Sequence, residues 1–151
     1  MLRLSDVGWL LVLLLGLATA AGARRHTELT VEELKARIAA ASVPDRVHLC
    51  LEIAQKQLVE TAKLYSAGEI EQGQSPLQDV VTYSELARDY SIQSHKHQKQ
   101  TEIAVRAMTR KLNDLEHTLG QPDQPPIKNA MDRLERVRDD LLASMFKKEE
   151  K

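Results

Sequence analysis

No glycine or proline interrupts this chain between Leu77 and Leu119. One seven-residue register holds across that stretch: Leu77, Val80, Ser84, Ala87, Ser91, Ser94, Gln98, Thr101, Val105, Met108, Leu112, Leu115 and Leu119. A repeat of this kind keeps one stripe of side chains on one side of an α-helix. The spacing therefore predicts a single helical spine of roughly 65 Å, at about 1.5 Å per residue. A helix that long cannot stand alone in water, so its stripe must be covered by other helices.

The flanking sequence supplies them. Thr30 with Glu33 reads as a capping box, with Leu29 and Leu34 as its staple, opening a short first helix that ends near Ser42. A second helix is expected from Pro44 to about Ala67, closed by Gly68, with Val47, Leu51, Ala54, Leu58, Ala62 and Tyr65 along one seam. The segment from Gly68 to Pro76 reads as a loop, with Ser75 capping the spine, Pro76 in its first turn and Gln78 completing a box. After Gly120, a last helix starts near Pro126 and carries Ile127, Met131, Leu134, Val137, Leu141 and Met145 on one side. Asp132, Arg136 and Asp140 sit four apart on another side, and the lysine- and glutamate-rich tail is expected to fray. The expected fold is all-α: an antiparallel bundle of three to four helices built on one long central helix. In it the second and last helices meet end to end near the middle of the spine. The polar register positions Ser91, Ser94, Gln98 and Thr101 would form a wet seam there.

The N-terminus constrains location. Arg3 precedes an apolar run from Trp9 to Ala18, followed by Ala18-Thr19-Ala20 and Ala21-Gly22-Ala23, two small-x-small patterns that suit signal peptidase. Residues 1–23 are thus read as a signal peptide and 24–151 as one helical domain, periplasmic or secreted. The alternative is an uncleaved membrane anchor, since Val7 to Ala23 reaches the lower limit of a bilayer span, about 17 residues. Export gives meaning to Cys50, the one cysteine in the chain. It has no internal disulfide partner. It is either a small apolar group on a helix flank or a reactive thiol able to bridge two chains in an oxidising compartment.

Charge excludes some partners. With 21 Lys and Arg against 22 Asp and Glu, and aromatic residues at 3%, no field or stacking platform suggests nucleic acid. Locally, Lys96, Lys99, Arg106, Arg110 and Lys111 face only Glu102 in sequence, and with His95 they make a candidate partner-binding face. His95 and His97 point about 200° apart on a helix, so they cannot chelate one ion. No nucleophile elbow, zinc-protease motif, haem attachment site or phosphate loop occurs. Neither a cofactor nor a catalytic residue is expected.

The opening Leu29-Thr30-Val31-Glu32 resembles the L-T-x-E/Q element of the periplasmic helical-hairpin chaperones. That likeness spans four residues without a second copy, and it implies no functional residue. The composition suits a non-enzymatic interaction or scaffold module of the bacterial envelope, with a protein partner or a second copy of itself. A chaperone or stress sensor for unfolded clients is the alternative reading, and a metal-binding bundle a third. N-terminal sequencing of the mature protein should return Ala21 or Arg24 as its first residue. Recovery of Met1 or Leu2 from a membrane fraction would establish an anchor instead.

Overall fold

The computed structural model describes residues 27–147. The expected signal peptide and most of the expected tail lie outside them. Among the described residues there are five α-helices and no strands: α1 (Val31–Ile38), α2 (Val43–Ser66), α3 (Ile70–Ser94), α4 (Gln98–Thr118) and α5 (Gln124–Lys147), with a single 3-10 turn over Gln121–Asp123. The helices pack into an all-α bundle.

The continuous spine does not form. The chain turns at His95–His97, where both histidines adopt left-handed backbone, φ 54° and 64°. The termination follows the glycine pattern with histidine in glycine's place. The N–H of His95 donates to the Ile92 carbonyl, and that of Lys96 donates to the Ser91 carbonyl, which is a Schellman closure. Histidine tolerates left-handed backbone better than most residues, at a cost of about 1–2 kcal/mol. The preceding turn is loosened by its serines, since Ser91 Oγ donates to the Arg88 carbonyl and Ser94 Oγ to that of Tyr90. The absence of glycine and proline therefore did not prevent a break.

Two antiparallel hairpins result, α2 with α3 and α4 with α5, and they fold together. Around the bundle the order is α2, α3, α5, α4. Glu85 and Arg88 of α3 meet Arg133 and Asp140 of α5 in rising order, so those two helices run parallel. The α2–α4 contact runs the same way, from His48 against His97 to Leu58 beside Met108. One large core joins Leu58, Val80, Val105, Met108, Leu112, Ile127, Leu134, Val137 and Leu141, all essentially without solvent exposure. A smaller cluster of Val47, Cys50, Leu51 and Ala87 lies toward α1. Most register positions are buried on both sides of the turn, including polar ones: Ser91 and Thr101 are fully covered and Gln98 nearly so, while Ser94 and Leu119 are half-buried. Instead of a wet seam there is a satisfied polar layer. Gln98 donates to Ser144 Oγ at 2.8 Å, and Thr101 Oγ1 donates to the His97 carbonyl at 2.8 Å.

The other boundaries follow local chemistry. Thr30 and Glu33 form the expected reciprocal cap. α1 is shorter than expected and is held down by Leu34, by Lys35 on Asp79 at 2.8 Å, and by Arg46, which donates to the carbonyls of Ala39 and Ala41. Gly68 closes α2 at φ 77°. The expected loop up to Pro76 is mostly helix instead: α3 starts at Ile70, with Pro76 inside it and no Ser75 cap. The reason is Gly73. Its bare Cα lets the ring of Tyr65 lie directly on the helix, and a Cβ there would stand 2.5 Å from two ring carbons. On α5, Asp140 pairs with Arg88 at 2.9 Å, so the expected ladder with Arg136 is replaced by a contact between hairpins.

Alanine ordinarily improves a helix over glycine by about 1 kcal/mol. Gly73→Ala should do the reverse here, lowering stability by about 1–2 kcal/mol because the buried Tyr65 ring cannot move aside freely. Urea unfolding followed by circular dichroism measures it, and an unchanged or raised midpoint would contradict the packing.

Candidate interaction surface

The residues singled out from sequence do not form one patch. His95 and Lys96 are exposed on the turn. His97 is half-buried, its ring 4.3 Å from that of His48 at an interplanar angle of 60°. The two histidines, one residue apart in sequence, thus part company, and the ring that His97 meets belongs to α2. Lys99, Arg106 and Arg110 share one stripe of α4, within about 40° of one another at helical spacing. Lys111 lies roughly 120° away from Lys99. It borders a different, shallow groove of about 290 Å³ between α2 and α4, together with Gln55, Leu58, Val59, Ala104, Ala107 and Met108.

The stripe borders a larger groove between α4 and α5, of about 660 Å³, lined by Arg106, Thr109, Arg110, Asn113, Asp114, Met131, Glu135 and Arg138. Its anchor is Glu102, which sequence alone places as a surface partner of Arg106. Its side chain is only 9% exposed. It accepts from Arg138 Nε at 2.8 Å and faces Arg106 Nε at 3.8 Å. This carboxylate ties two guanidinium groups from two helices by their inner edges. The bond to Glu102 holds Arg138 more firmly in its charged form. Arg138 was missed because its partner lies across the bundle, and only knowledge of the hairpin register would have revealed it.

Charge pairing divides the surface. Lys35, Arg88, Arg133 and Arg138 all reach carboxylates on other helices within 3 Å. Lys96, Lys99, Arg110 and Lys111 have no ion-pair partner among the described residues. Between Lys99 and Arg106 on the same side of α4 lies Ile103, 46% exposed. Among the described residues no group of three or more His, Cys, Asp or Glu side chains could hold a metal ion. No described helix is long and apolar enough to cross a membrane.

Cys50 is fully buried against Val47, Leu51 and Ala87. Burial pushes its thiol up to about 12, with Arg46 opposing weakly. In this state the thiol is neither ionised nor reachable, which favours the packing role over the reactive one.

These features define an all-α bundle of two docked hairpins with a basic, partly apolar ridge along α4. No family model, curated protein or solved structure matches the chain.

Because Cys50 ionises far more readily unfolded than folded, its contribution to stability is complete below its ordinary value of 9.0 and is lost as pH climbs toward about 12. Within that window the loss should approach about 1.4 kcal/mol per pH unit. Urea titrations across this range should show a steeper alkaline decline for the native chain than for Cys50→Ala. Equal slopes would refute the buried thiol.

Proposed function

We propose that this chain is a non-enzymatic interaction module of the bacterial envelope, exported as residues 24–151, which docks an acidic protein partner on the ridge of α4. The observation that carries the reading is the unpaired charge of Lys99 and Arg110 on either side of exposed Ile103. Several charged pairs elsewhere in the bundle join its helices, whereas these two cations form no ion pair among the described residues. A cationic ridge with an apolar residue at its centre suits a partner surface whose carboxylates surround an aliphatic or aromatic group. Rigid backbone beneath the ridge lowers the entropy lost on docking.

A client-binding chaperone is the competing reading, supported by the apolar groove beside Val59, which is 67% exposed. The exposed apolar residues Val59, Ile103 and Phe146 lie on three different helices, and singly placed ones are ordinary on any surface.

Affinity capture from envelope extract, with partner identification by mass spectrometry, tests the proposal. The Lys99→Glu/Arg110→Glu double variant should keep its circular dichroism spectrum and lose at least about tenfold in affinity for the captured acidic partner. Wild-type binding should weaken with salt, as expected for rim charges. Undiminished binding by the variant would sink the ridge. Suppression of client aggregation unaffected by the variant would favour the chaperone.

A further inference from the structure

The turn between the hairpins is short, strained and written in residues that a helix accepts. His95 and His97 hold positive φ with only Lys96 between them. On either side the buried seam follows one repeat: Ala87 and Ser91 before the turn, Gln98, Thr101 and Val105 after it. The repeat passes through the turn without a skip, although a loop built into the pattern would ordinarily displace it. The two carbonyls that close α3, those of Ser91 and Ile92, are also the ones that would accept from His95 and Lys96 in a continuing helix. Straightening therefore sacrifices no closing bond. The ion pairs that hold the hairpins together (Glu85 with Arg133, Arg88 with Asp140) join helices on opposite sides of the turn. Such contacts form equally well within one chain or between two.

We infer that His95–His97 is a two-state hinge whose straight form makes a domain-swapped dimer. In that form α3, the turn and α4 become one helix from Ile70 to Thr118, roughly 74 Å long. The α4–α5 hairpin of each copy then docks on the α2–α3 hairpin of the other, rebuilding the same bundle twice, end to end about a two-fold axis. The occupant of each hairpin's docking face is a second copy of this chain. Relief of the left-handed histidines favours the straight form, and dilution favours the bent one. Short hinges under strain are where such exchange arises.

Two variants push the hinge in opposite directions. His95→Ala/His97→Ala keeps or worsens the left-handed strain and improves the helix. His95→Gly/His97→Gly removes the strain and weakens the helix. The full-length chain is refolded over a range of concentrations, weighed by light scattering after size exclusion, and its dimension taken from small-angle X-ray scattering. The alanine pair should raise the dimer–monomer equilibrium constant by about tenfold or more, and the glycine pair should lower it. The dimer's profile should fit two bundles end to end. A folded alanine pair that stays monomeric, or a dimer fitting two closed bundles side by side, overturns the hinge. Should the alanine pair fail to fold, the native chain and the glycine pair decide. A dimer formed by the first at high concentration and absent from the second supports it, and equal dimer content in both overturns it.

Discussion

The arrangement of this bundle depends on a backbone turn made without glycine. If His95 and His97 returned to helical backbone within a single chain, α4 would continue away from α2 and α5 from α3, leaving two half-cores open to water. The cost of holding two left-handed residues is about 2–4 kcal/mol together. Burying Leu134, Val137 and Leu141 of α5 and Val105, Met108 and Leu112 of α4 gains about 1.5–3 kcal/mol for each side chain. Much of that burial already exists within a hairpin, but the share made between hairpins still exceeds the strain. The turn is therefore imposed by the core it allows.

The polar layer beside the turn decides where the bend falls. Ser91, Gln98 and Thr101 replace the aliphatic residues that a strong seam would carry, and Glu102 follows them with its two arginines. Such residues contribute little apolar burial. Their hydrogen bonds are mostly local, from Ser91 to Arg88 and from Thr101 to His97, with Gln98 reaching Ser144 on α5. A helix is least costly to interrupt where its side chains hold the fewest apolar contacts. Without Arg138 the covered Glu102 carboxylate would keep only the longer contact to Arg106, so this pair serves mainly to fix α4 against α5 in one register.

Much of the fold was legible because hydrophobic spacing reports which side of a helix is covered. Most of the seams of α2 and α5 and of the Leu77–Leu119 repeat are buried as their spacing implies, with Ala62, Ser94, Leu119, Met131 and Met145 only half-buried. Spacing does not report whether a covered helix is straight. The same stripe faces inward in a long spine and in two folded halves, so the repeat could not reveal the turn. The available signals were compositional: four consecutive polar register positions around an H-x-H, and histidine's tolerance of left-handed backbone. Gly73 misled in the other direction. In sequence it marks a loop, whereas in the fold it makes room for Tyr65. For the candidate surface, the basic residues were legible from composition, but their division was not. Lys111 parts from Lys99 by helical geometry alone, while Arg138 joins Arg106 only through Glu102, contributed by a chain segment 36 residues away.

An unbroken repeat across a strained turn has a thermodynamic consequence of its own. Across the proposed exchange the core side chains away from the turn keep their neighbours, while the contact of His97 with His48, at the turn itself, changes. Hydrophobic burial and most hydrogen bonds therefore cancel in the difference between them. What remains is small: the strain of His95 and His97, the helix propensity of the residues around Lys96, and the difference between tethered and free docking of the hairpins. A three-residue connection gives a tethered hairpin an effective concentration in the millimolar range or above. At 10 µM protein, a millimolar value favours two closed monomers over one swapped dimer by about 2.7 kcal/mol, because the second exchange is again intramolecular. Two left-handed histidines return a comparable amount per chain. Because these terms nearly balance, single residues at the turn govern the state of a bundle whose core contains neither of them.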